Sequence, residues 1–193
     1  MITKITWQGV LTSVQPRIRL VRSFDERSHR YLGYVLAIRG VVDDQERDFL
    51  VGIGKTAQAR HQFRAGDVVG GASEPVRDSR IETAEFYKTS KLKLIERGAE
   101  QISPPPWRER PPTLEIYRAR GHRRLDARTY ATKCCDCVWG CRMPVEMIID
   151  QWNPQQRRYR FETFCYGPQE LPASQSQAHQ EGPGPPRHDL GGA

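Results

Sequence analysis

All five cysteines of this 193-residue chain, Cys134, Cys135, Cys137, Cys141 and Cys165, fall between residues 134 and 165. A segment that short cannot bury enough apolar surface to fold by its core alone, so another agent must hold it together. The opening Met1-Ile2-Thr3-Lys4-Ile5 carries no basic stretch followed by an apolar run, so a secretion signal is not expected. No run approaches the roughly 18 apolar residues of a membrane span. A soluble, cytoplasmic chain is therefore expected, and in a reducing compartment clustered cysteines point to a metal before disulfides.

Cys134-Cys135-Asp136-Cys137 contains C-x2-C, the spacing that lets two thiolates reach one ion while backbone amides turn toward the sulfurs. Cys141 follows, then Pro144 to Asp150, a turn at Asn153-Pro154, and Arg158 to Cys165. Both flanks alternate or run apolar, which predicts a β-hairpin that returns Cys165 beside the first cysteines. A knuckle, a hairpin and a returning cysteine resemble a zinc ribbon. The expected ligands of a closed, tetrahedral, structural Zn2+ are Cys134, Cys137, Cys141 and Cys165. The second C-x2-C of a usual ribbon is missing. Cys135 is a spare that can replace Cys134, and His122 completes the set if Cys141 faces away. An iron–sulfur cluster accepts the same thiolates, and reduced, unliganded cysteines are the third alternative.

Upstream, residues 4–97 read as strands. Lys4 to Val14 ends at Pro16, and Arg17-Ile18-Arg19-Leu20 alternates as on a half-buried strand. Tyr31 to Val42 places Leu32, Tyr34, Leu36 and Ile38 on one face, and Phe49, Val51 and Ile53 mark a third strand. Thr56 can cap a short helix running to Phe63. Val68-Val69 opens a fourth strand closed by Gly70-Gly71, and Glu85 to Ile95 supplies a fifth. Five strands with one helix between the third and fourth is the order of an OB-fold barrel, with an SH3-like barrel as the rival. Phe63-Arg64-Ala65-Gly66-Asp67-Val68-Val69 resembles the turn many OB-folds place before the fourth strand. The fold expected is thus mainly β: a five-stranded OB-like barrel over 1–102, then a small zinc-ribbon-like hairpin domain.

Prolines 104–106, 111 and 112 make residues 103–112 an extended linker. Thr113 to Arg120 can form a short helix stopped by Gly121, and Asp126 to Lys133 reads as extended. Residues 113–168 then hold a basic helical segment and the ribbon, and the polar, Gly- and Pro-rich tail 169–193 is expected to be disordered. Cys137-Val138-Trp139-Gly140-Cys141-Arg142-Met143-Pro144-Val145-Glu146-Met147 and Phe161-Glu162-Thr163-Phe164-Cys165-Tyr166-Gly167-Pro168 look like phrases of an uncharacterised prokaryotic family joining a small barrel to a cysteine-rich end. The resemblance implies an arrangement and no activity. It also implies a further cysteine soon after the Cys-Tyr-Gly-Pro phrase, where this chain has Leu171.

Formal charge is +7, and residues 103–133 hold eight Lys/Arg against three Asp/Glu. Such an excess favours polyanionic partners through counterion release. Gly52-Ile53-Gly54-Lys55-Thr56 is not a P-loop, because Phe49 stands where the first glycine must wrap the phosphates. No nucleophile elbow, His-Glu-x-x-His pair or other convincing catalytic set is present. The expected function is non-enzymatic binding of single-stranded DNA or RNA, through Arg17, Arg19, Arg22, Arg27, Arg30, Tyr31, Lys55 and Arg60. The alternatives are a scaffold or accessory subunit of an acyl-CoA type enzyme complex and an iron–sulfur redox protein.

Overall fold

In a computed structural model of the chain the described residues are 3–22, 28–100, 105–150, 152–153 and 155–168, the side chains of Arg22 and Ser28 excepted. The tail expectation for 169–193 and the assignment of Arg27 lie outside them, as does that of the Arg22 side chain. The chain is mainly β with a partly closed sheet. None of its helices is long and apolar enough to cross a membrane among the described residues.

Strand β1, Ile5–Arg22, is continuous through Pro16, where an interruption was expected. Along its length it pairs antiparallel with β2, Ser28–Val42. On its other side, residues 5–10 pair with β4, Val68–Pro75, and residues 20–22 pair parallel with β7, Gly140–Ile148. Pro16 lies in the interval between these two partners. Its carbonyl accepts from Cys141 on that side, and a residue's N–H and C=O point the same way, so the missing proline donor removes no ladder bond. Register shifts at Leu11/Ser13 and Arg17/Ile18 bend the strand between its two partners.

The expected strand order holds. β2 continues to β3, Gln45–Ile53, and β3 meets β5, Phe86–Glu96, in a single parallel pair at Val51 and Phe86. β5 then pairs with β4, which returns to β1. Helix α1, Lys55–His61, lies between β3 and β4, with Gly54 at its N-cap where Thr56 was expected. β4 also runs on through Gly70-Gly71. Gly71 is needed there because a Cβ would stand 2.8 Å from the Trp7 ring, which is buried over it with Nε1 donating to Ser73 Oγ at 2.8 Å.

Helix α2, Leu114–Arg120, ends at Gly121 as expected, with Leu114 and Tyr117 as its buried face. β6, Arg123–Leu125, was not expected. Asp126 to Lys133, read as extended, is helical: α3, Ala127–Thr129, runs into a π-helical turn, Tyr130–Cys134. The reason is a cap the pattern hid, since the Asp126 carboxylate accepts from the backbone N–H of Arg128 at 2.9 Å and of Thr129 at 3.3 Å. β7 and β8, Arg157–Cys165, form the expected antiparallel hairpin, and β6 adds to the outer edge of β8. All eight strands belong to one sheet, joined by the β1–β7 pairing. One core accordingly runs from Trp7, Leu36 and Phe49 to Tyr117, Met143 and Phe164.

Candidate metal centre and arginine–aromatic surface

Cys134 closes the π-helical turn, Cys137 follows in the next turn, and Cys165 ends β8. Cys134 and Cys165 are buried together with Leu125 in a small cluster apart from the main core. The Cys134 thiol is pushed up to about 11, first by burial and then by the charges of Cys165, Cys137 and Cys135. Burial also raises Cys137, but the backbone N–H groups of Trp139, Trp107 and Gly140 pull the other way, and Cys165 raises it again. The Cys165 sulfur accepts from Gly167 N–H at 3.3 Å and Arg123 Nη2 at 3.6 Å. Three sulfurs thus repel one another as thiolates while fixed donors turn toward two of them. In kind these donors suit a soft divalent cation. Among the described residues, however, no group of three or more His, Cys, Asp or Glu is arranged to hold a metal ion.

Cys141, expected as a ligand, stands apart. Cys165 pairs with Gly140, whereas Cys141 pairs with Phe164 and shares its face of the hairpin, toward the main core. Cys141 is fully buried, donates to Pro16 O at 3.4 Å, and is raised by desolvation. A one-residue offset in a strand exchanges faces, and the cysteine count carries no information about that offset. His122 is exposed, its ring centre 4.4 Å from that of His29 and 5.1 Å from that of Phe164. Cys135 is exposed and donates to Ala131 O at 3.2 Å.

β1 holds the knuckle in place. Buried Gln15 donates through Nε2 to the carbonyls of Cys134 and Cys137, both at 2.8 Å, and accepts from Tyr130 Oη at 2.7 Å. A Cβ at Gly140 would lie 2.2 Å from Cys134 O and 2.8 Å from Gln15 Nε2, so only glycine leaves room for this clamp. The proline-rich stretch closes the other side. Val138 N–H donates to Trp107 O at 2.8 Å, and Arg108 pairs with Asp136 at 2.9 Å. Gln15 could not be singled out in advance, because its three partners lie more than a hundred residues away.

The arginines expected to contact nucleic acid have different fates. Arg17 is largely buried and makes a two-bond ion pair with Glu82, its Nε donating to Oε1 at 2.8 Å. Arg19 donates to Ile81 O at 2.7 Å and stands 4.0 Å from the same carboxylate. Both are consumed by the β4–β5 connection. Arg30, Lys55 and Arg60 are exposed, and Tyr31 is half-buried. Helix α2 ends in the arginine-rich segment 118–124, which the sequence marks as able to add backbone contacts or simply to lie on the surface. Arg118 Cζ lies 4.8 Å from the Tyr31 ring centre, and Arg120 Cζ lies 4.7 Å from that of half-buried Trp139. Both arginines are exposed, so each cation–aromatic contact lies at the surface. A signal was available in Arg118-Ala119-Arg120, but the aromatic partners lie on other elements.

No family model, curated protein or solved structure matches the chain.

Proposed function

We propose that the chain is a non-enzymatic binding protein for single-stranded nucleic acid, in which an OB-like barrel and a zinc-ribbon-like hairpin are joined through one sheet. The observation that carries the reading is the pair of cation–aromatic contacts, Arg118 on Tyr31 and Arg120 on Trp139, made by two exposed arginines that follow buried Tyr117 on α2. Cations at aromatic rings offer phosphates a partner and bases a stacking surface, and neither demands a particular base. The ring of pairings through β1, β2, β3, β5 and β4, with α1 between β3 and β4, supports the OB-like assignment. A zinc ion held by Cys134, Cys137 and Cys165, with Cys135 a further thiol acting on Cys134, would cross-link the knuckle to β8. Its contribution is structural: it offsets the mutual repulsion of the thiolates and fixes the turn between Cys137 and β7 that carries Trp139.

The test is fluorescence anisotropy of labelled DNA and RNA strands of about 20 nucleotides across a salt series. The double variant Arg118→Ala/Arg120→Ala should weaken binding about tenfold or more at low salt. The slope of log affinity against log salt should become shallower by about 1.4, as for two lost phosphate contacts on a single strand. No binding by the native chain at low salt, or an unaltered slope in the variant, would overturn the reading.

A further inference from the structure

A cavity of about 440 Å³ opens between α1 and the proline-rich stretch, lined among others by Tyr34, Lys55, Gln58, Ala59, Arg110 and Leu114. Its size suits a nucleotide-sized ligand. Gln58 is 5% exposed, and its Nε2 donates to Phe63 O at 2.9 Å. A carbonyl can only accept, so the amide orientation is fixed and Oε1 is the atom left over. Oε1 is buried and has no hydrogen-bond partner among the described residues. A buried acceptor left unpaired costs free energy that a ligand N–H would recover. Tyr34 donates to Pro112 O at 2.8 Å, which holds its aromatic ring in the cavity wall. Lys55 and Arg110 supply two cations at the lining against the one carboxylate of Glu115. That carboxyl is held low first by its own backbone and Thr113, then by Lys55 and Arg118. Leu114 of the lining and Arg118 of the cation–aromatic pair are one helical turn apart on α2, so the cavity lies next to the arginine–aromatic surface.

Resting on the nucleic-acid reading, we infer that this cavity receives one nucleobase of the bound strand, held through an N–H of its edge. Its N–H would donate to Gln58 Oε1, its ring would lie against Tyr34, and the flanking phosphates would be taken by Lys55 and Arg110. Because Gln58 offers only an acceptor, a base edge without a donor leaves that acceptor unpaired and is selected against.

The experiment is calorimetric titration of the full chain with the monophosphates of adenosine and cytidine, in which the exocyclic amine is the only N–H donor of the base. Each is compared with its analogue lacking the exocyclic amine. Ala59→Trp, at an exposed position of the lining, fills the cavity without disturbing Gln58; Lys55→Glu/Arg110→Glu is the second variant should Ala59→Trp fail to fold. The expected result is saturable binding of at least one monophosphate, weakened about tenfold by loss of the amine and by either variant. Absence of saturable binding up to millimolar ligand, or binding unchanged in the variants, overturns the inference. Oligonucleotide binding separates the two levels: if it survives undiminished in Ala59→Trp, only the cavity inference falls. If the native chain binds no oligonucleotide, the broader reading falls as well.

Discussion

Replacing Glu82 with alanine is expected to destabilise the chain by about 3–5 kcal/mol, because it strands a buried cation. Arg17 and Glu82 have side-chain exposures of 15% and 8%, and two hydrogen bonds join them. The same carboxylate accepts from Thr83 N–H at 3.0 Å and lies 4.0 Å from Arg19. Alanine would leave the largely buried Arg17 guanidinium without its counter-charge. The double variant Arg17→Met/Glu82→Leu, which removes both charges and keeps the bulk, should regain most of the loss. Urea unfolding monitored by tryptophan fluorescence measures both. A loss below about 1 kcal/mol for Glu82→Ala would show that the pair is not desolvated. Oligonucleotide affinity of the folded double variant should equal that of the native chain, since Arg17 serves the sheet and not the ligand.

Tyr117→Ala is the second substitution with a large expected cost, about 3–5 kcal/mol. Tyr117 is fully buried, its ring meets Trp139 at 5.6 Å and Tyr166 at 5.5 Å edge to face, and its hydroxyl donates to Val138 O at 2.6 Å. It docks α2 against both the knuckle and the end of β8. Truncation opens a cavity there and frees the helix that presents Arg118 and Arg120. Tyr117→Phe isolates the hydroxyl and should cost about 1–2 kcal/mol, for one unpaired carbonyl. Guanidinium unfolding reads both values. Equal, small losses for the two variants would mean that α2 is held by other contacts.

The five-strand order was legible because alternation over residues 31–53 and the turn near Asp67 are local signals. The Asp67 carboxylate is fully buried and accepts from the N–H of Arg64 and Gly98, each at 3.0 Å, which explains why that turn has a recognisable sequence. What escaped was long-range. Arg17 on a half-buried strand reads alike whether it faces phosphate or a carboxylate 65 residues onward. Pro16 suggests an end to β1 unless the position of β7 is known, and Gln15 carries no mark of its role as a clamp. The hairpin was visible from its two apolar flanks, yet the face of Cys141 depended on a register that places Gly140, and not Cys141, opposite Cys165.

Zinc content per chain, measured after purification without air for the native protein and three single variants, tests the cysteine arrangement most directly. About one zinc per native chain is expected, lost in Cys137→Ser and Cys165→Ser and kept in Cys141→Ser, whose hydroxyl can still donate to Pro16 O. Zinc lost from Cys141→Ser but retained by Cys165→Ser would contradict the separation of Cys141 from the other three sulfurs and, with it, the proposed site.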